Sequence, residues 1–154
     1  MSISTFIGRL RQRFEIMRAG SKVWYPSNIY LTAKLGRHVS VGRFSEIGNE
    51  VVVGDYVRIG AMCFIPEGVV LEKNAWIGPR CAFTNDLYPP SPRGKWQKTV
   101  VEEGAALGAG VTVVCGVRIG RGALVGAGSV VTKDIPANEI WAGVPAMKIN
   151  TKEV

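Results

Sequence analysis

The chain has 154 residues, 47% of them hydrophobic and 20% charged, with a formal net charge of +7 and a single histidine. Such a length suits one domain. The positive charge is concentrated at the start, where Arg9, Arg11, Arg13, Arg18 and Lys22 stand against Glu15 alone; the rest is only mildly basic, which excludes the basic stripe with interleaved aromatics of a nucleic-acid groove.

Residues 1–22 place Phe6, Leu10, Phe14 and Met17 at helical spacing, with arginines between them. The arginines interrupt the apolar run that a signal peptide or a membrane span requires. The expected element is an amphipathic N-terminal α-helix that caps the domain, the alternative being a helix lying on a membrane surface.

From Val23 the pattern changes. Hydrophobic residues recur at multiples of six at Val23, Ile29, Leu35, Val41, Ile47, Val53, Ile59, Ile65, Leu71, Ile77 and Phe83, and again at Val101, Leu107, Val113, Ile119, Val125 and Val131. Nine of these repeat leaders are followed directly by glycine, and four residues after most of them stands a small residue or valine. A fixed period of this strength specifies a solenoid: an all-β hexapeptide-repeat coil over 23–149, with three repeats per eighteen-residue turn and every leader pointing inward. No single repeat can bury its own apolar face, so stability comes from stacked turns. Glycine after the leader supplies either corner dihedrals or room for close approach. Cys63 and Cys81 fall eighteen residues apart at inward positions and should stack as packing residues, whereas Cys115 lies outside those positions and is expected to be partly exposed. Three cysteines without metal-ligand spacing fit a reducing cytoplasm.

Between Phe83 and Val101 the repeat breaks. The gap is one repeat plus a twelve-residue excursion, so the register resumes where it left off. The loop, 84–100, holds Pro89, Pro90, Pro92, Trp96 and the cations Arg93, Lys95 and Lys98, a composition suited to an anionic small molecule. Residues 150–154 are expected to form a tail.

Four segments carry a resemblance to a known family: Phe64-Ile65-Pro66-Glu67-Gly68-Val69, Ile77-Gly78-Pro79-Arg80, Phe83-Thr84-Asn85-Asp86-Leu87-Tyr88-Pro89, and Gly126-Ala127-Gly128-Ser129-Val130-Val131-Thr132-Lys133-Asp134-Ile135-Pro136. The chain resembles the hexapeptide-repeat acyltransferases with a left-handed parallel β-helix, and among them the bacterial nucleotide-sugar N-acetyltransferases, which acetylate UDP- or dTDP-linked amino sugars. The resemblance implies a left-handed coil, a homotrimer, acetyl-CoA in a cleft between subunits, and direct transfer to the sugar amine without a covalent intermediate or a metal. By position it places Asn85 and Asp86 at the reacting amine and Thr84, Tyr88, Arg93 and Trp96 on the sugar nucleotide. Ala109, Gly126, Ala127, Lys133 and Lys148 are placed along CoA. Two departures stand out: Trp24-Tyr25-Pro26 replaces the usual Trp-His-Phe, and Gly108-Ala109-Gly110 replaces Gly-Ala-Asn.

His38 shares a column with Tyr56, Asn74 and Gly104, three turns and about 14 Å below the loop, and is expected to be a corner residue rather than a base. One histidine also excludes the three-histidine zinc site of solenoid carbonic anhydrases. An acetyltransferase for a hydroxyl acceptor and a non-catalytic scaffold remain the alternatives.

Overall fold

The computed structural model describes residue 8 and residues 19–151. Strands of two or three residues recur at six-residue intervals from Lys22–Val23 to Val130–Val131, except across the loop, and build an all-β parallel solenoid of about seven turns. They form three faces, here A, B and C, which begin with Lys22–Val23, Asn28–Ile29 and Lys34–Leu35 and hold eight, six and five strands. The cause is the sequence period: two extended residues and four at a corner bring the chain back above itself every eighteen residues.

Register follows directly. On face A, Val41 pairs with Ile59 and Ile59 with Ile77, but Ile77 pairs with Leu107. The offset grows by twelve residues on all three faces, because Phe83 pairs with Val113 and Leu71 with Val101. The expected excursion therefore leaves the core untouched. Lengthening one turn from eighteen to thirty residues adds only about 0.5 kcal/mol of loop-closure entropy.

All leaders from Val41 to Val131 are buried, each at most 3% exposed, while Val23, Ile29 and Leu35 are half-buried against them. The second inward column is buried as well from Val39 onward, after half-buried Ser27 and Ala33. Its serines satisfy themselves: Ser45 Oγ donates to the Gly60 carbonyl at 2.9 Å and accepts the Cys63 N–H at 3.1 Å. Cys63 and Cys81 are free thiols whose Sγ atoms reach the Gly78 and Gly108 carbonyls at 3.2 Å. A shared hydrogen bond with Cys63, added to burial, pushes the Cys81 thiol well up, so it remains protonated and packs.

Of the two roles open to the post-leader glycines, close approach is the one they serve. A Cβ on Gly60 would lie 2.4 Å from the Pro79 nitrogen, and one on Gly78 would lie 2.6 Å from the Gly108 carbonyl carbon. The left-handed dihedrals fall two residues later. They are carried by His38, Phe44, Glu50, Tyr56, Met62, Asn74 and Arg80 before the loop, apart from Gly68, and by Gly104, Gly110, Gly116, Gly122 and Gly128, then Asn138, after it.

Four expectations change. Cys115 is buried at 4% exposure, because the loop folds back over its corner and Thr84 Oγ1 accepts its N–H at 2.9 Å. The loop ends at Lys98, since Thr99–Val101 already pairs with Val69–Leu71. The solenoid begins at Lys22 rather than Val23. Residues 150–151 belong to the strand Ala146–Thr151, which runs antiparallel to Glu139–Gly143 after a shortened last turn pairing Val125 with Trp141. The expected N-terminal helix and the end of the tail lie outside the described residues, apart from Gly8.

Candidate functional site

The loop leaves the prism at the corner between faces B and C, immediately after Ala82–Phe83. Its first hydrogen bonds are its own. Asp86 accepts the Ser91 N–H and the Ser91 hydroxyl, each at 2.7 Å, and the Tyr88 N–H at 3.2 Å. Partial burial pushes the Asp86 carboxyl up, but these three hydrogen bonds together outweigh it and hold the group below its ordinary value. Ionised and already satisfied, Asp86 organises the loop and is a poor proton acceptor.

Arg93, on the short 3-10 turn Arg93–Lys95, makes a bidentate pair with Glu67 of the corner below, with Nε to Oε1 at 2.9 Å. Gln97 N–H donates to the Asn85 carbonyl at 2.8 Å and closes the loop at its root. Asn85 is half-buried, and its side-chain amide makes no hydrogen bond to another described residue. Thr84, by contrast, is committed through Cys115. Tyr88 is 81% exposed and Trp96 36% exposed at the loop surface. Of the acceptor-side residues named from the sequence, Asn85, Tyr88 and Trp96 therefore have unengaged polar or aromatic groups, while Thr84, Asp86 and Arg93 hold the loop.

Ala109 and Ala127 lie on a different corner, between faces A and B, directly above one another: Gly128 N–H donates to the Ala109 carbonyl at 2.8 Å. Gly126 completes this smooth edge, with the Ala142 Cβ 2.9 Å from where its own Cβ would stand. Lys133 and Lys148 gather in the last turn. Lys133 Nζ lies 5.2 Å over the Trp141 ring, and Lys148 Nζ donates to Glu139 Oε1 at 2.6 Å while Trp141 Nε1 donates to Glu139 Oε2 at 2.7 Å. The loop root and the smooth edge are thus at opposite edges of face B. His38 is on the third corner, between C and A, stacked on Tyr56 with ring centroids 5.0 Å apart. Among the described residues, no three of His, Cys, Asp and Glu come together as metal ligands.

The carboxylates set the acid limit of the fold. Asp55 is lowered by hydrogen bonds from the Arg37 backbone and guanidinium, Glu102 by one from Arg118, and Glu139 by those from Lys148 and Trp141, as Asp86 is within the loop. A lowered folded-state value stabilises above the unfolded one and is lost as pH falls through the folded one. The melting temperature should therefore be flat near neutrality and fall below about pH 4. Calorimetry across pH 2–7 checks this.

Two repeat families match the chain: a bacterial transferase hexapeptide (six repeats) over residues 98–133, and the hexapeptide repeat of succinyl-transferase over 47–78. Both spans fall on the coils just described. The chain is a hexapeptide-repeat solenoid, with repeats that match those of bacterial transferases.

Among curated hexapeptide relatives, galactoside O-acetyltransferase of Lactococcus lactis is 40% identical over 109 residues, covering 65% of this chain and 53% of that protein. Serine acetyltransferase 2 of Arabidopsis thaliana is 31% identical over 144 residues, covering 88% and 42%. The chain spans about half or less of each. A variant of GDP-perosamine N-acetyltransferase from Caulobacter crescentus, solved with CoA and GDP-perosamine, superposes with a TM-score of 0.74 at 26% identity over 93% of this chain and 65% of that one. The N-acyltransferase AntD of Bacillus cereus, solved with dTDP and CoA, gives 0.75 at 22% identity over 86% and 82%, a likeness of fold.

Sequence reasoning missed Glu67 and Ser91, the partners that anchor this hexapeptide chain's loop. A signal existed for Glu67, because it occupies the corner directly below Asn85 in the eighteen-residue column. None existed for Ser91, whose role depends on how the proline-rich loop folds.

Proposed function

We propose that this chain transfers an acetyl group from acetyl-CoA to the amino group of a nucleotide-linked amino sugar. The observation that supports it is the unengaged amide of Asn85, held at the root of a loop that Asp86, Arg93 and Gln97 keep in place. Solenoid neighbours solved with CoA and a nucleotide or nucleotide sugar support the substrate pair. In this reading the acceptor lies under Tyr88 and Trp96 with its amine beside Asn85, and CoA runs along Ala109, Gly126 and Ala127. The neutral amine attacks the thioester carbonyl, the new C–N bond forms, the C–S bond breaks, and the amine proton leaves with sulfur as the CoA thiol. Orientation and support of the developing oxyanion carry the rate, with no covalent enzyme intermediate.

The two substrate surfaces lie at opposite edges of face B, so a single chain holds them apart. A homotrimer with the smooth corner of one subunit against the loop corner of the next would bring them together, and C3 symmetry closes such a ring. Light scattering that finds only monomer at micromolar concentration would remove this part of the proposal.

The test is thiol release from acetyl-CoA with a panel of UDP-, dTDP- and GDP-linked amino sugars, run beside galactosides and serine. Turnover with an amine acceptor supports the proposal. Turnover confined to the hydroxyl acceptors favours the second reading, O-acetyl transfer, for which the galactoside and serine acetyltransferase relatives speak. Replacing residues 87–97 by a short glycine linker is expected to preserve the fold, because Thr99–Val101 restores the register, and to raise the acceptor KM at least about tenfold while leaving the KM for acetyl-CoA within about twofold. Steady-state kinetics and a melting curve on the variant check both halves.

A further inference from the structure

A groove of about 530 Å³ runs along the corner between faces C and A, over the turns that precede the loop. That volume is in the range of small-molecule sites. One wall is the column His38, Tyr56 and Asn74; the other is the outward side of face A, where Lys22, Ser40, Arg58 and Trp76 pair rung by rung. Val39 and Ala75 line its base. At strand spacing the four face-A residues span about 14 Å, with Lys22 and Arg58 about 10 Å apart.

Three features give this groove a chemical preference. It is positive: among the described residues no carboxylate lines it, and Asp55 nearby is taken up by Arg37 at 2.8 Å. Neither Lys22 nor Arg58 makes an ion pair with a described residue, unlike Arg37, Lys73, Arg93, Arg118, Arg121 and Lys148. It is also aromatic. Tyr56 and Trp76 are each 49% exposed, the first stacked on His38 and the second under the Arg58 guanidinium at 5.6 Å. Finally, Gly20 lets the His38 ring pack closely against the backbone at its lower end, since a Cβ there would lie 2.8 Å from His38 Nδ1. An ammonium and a guanidinium at two levels suit a phosphate, exposed ring faces suit a flat heterocycle, and the Asn74 amide and Ser40 hydroxyl supply a donor and an acceptor between them.

We propose that this groove binds a nucleoside phosphate, with the phosphate between Lys22 and Arg58 and the ring against Tyr56 and Trp76. The site is on a different corner from both the loop and the smooth edge, and needs neither CoA nor the transfer reaction. It therefore stands or falls independently of the function proposed above.

Calorimetric titration of the full chain with UMP, dTMP, GMP and AMP, with uridine and inorganic phosphate as half-ligands, tests it. At least one nucleotide should bind with Kd below about 1 mM, and both half-ligands more weakly. Arg58→Ala and Trp76→Ala should each raise that Kd at least about tenfold, the scale for losing a charge-assisted contact or a ring face. Both side chains are exposed, so a melting curve should show the variants folded. The variant with residues 87–97 replaced should keep one nucleotide site per chain at unchanged Kd. Nucleotide binding by the loop-replaced variant that survives both groove substitutions, or binding that is lost entirely with the loop, overturns the proposal, as does the absence of binding by all four nucleotides at 5 mM, a concentration of about five times the expected limit.

Discussion

Asn85→Ala should lower kcat/KM for the amino-sugar acceptor about 10²-fold or more, the scale for losing a group that orients the reacting amine, equivalent to about 2.7 kcal/mol of barrier. The expectation rests on contrast within three residues. Thr84 and Asp86 flank Asn85, and both are consumed by the loop and the neighbouring coil, through the Cys115 N–H and through Ser91 and Tyr88. Only the Asn85 amide is left to meet a ligand. Asp86→Ala should act differently: it releases Ser91 and loosens the loop, so its loss should appear mainly as a raised acceptor KM with kcat less affected. Steady-state rates by thiol release separate the two. Equal effects of both substitutions on kcat, with unchanged KM, would make Asp86 part of the chemistry and contradict its assignment to the loop. The pH profile of the wild-type chain should follow the substrate amine, since His38 is on another corner.

Phe83→Ala is expected to cost about 3–5 kcal/mol of stability and to lower Tm on the order of 10 °C, read by denaturant and thermal unfolding. Among the described residues Phe83 is the largest fully buried side chain, 1% exposed, in a strand paired to Thr112–Val113 above. Rigid coils cannot collapse onto the cavity, because glycines such as Gly60 and Gly78 already bring successive backbones to contact. A cost below about 1 kcal/mol would mean that the stacked column is not what holds the turns together.

The repeat was legible because its cause is local and periodic. Val41, Ile59, Ile77, Leu107 and Val125 can be counted on the sequence, and the structure pairs them in that order across the insertion. Packing of Cys63 against Cys81 followed from the same count. Burial of Cys115 did not, because it depends on Thr84 and on how the loop returns, a contact thirty-one residues long outside any period. The commitment of Arg93 to Glu67 and of Asp86 to Ser91 was hidden for the same reason. The groove was hidden differently. Each of its walls is periodic, but its character arises between two columns, and inward leaders draw the eye away from Lys22, Arg58 and Trp76 one residue before them.

The strand Ala146–Thr151 runs against the direction of every other rung on face A. A parallel coil is a template, since each rung offers the next an edge of the same polarity, and that is how stacked β-structure grows into fibres. Reversal breaks the template. A further rung arriving at this edge meets a strand of the opposite polarity, and it also meets Lys148, a charged gatekeeper tethered to Glu139. On face A, a change of direction in six residues ends the parallel ladder at that edge.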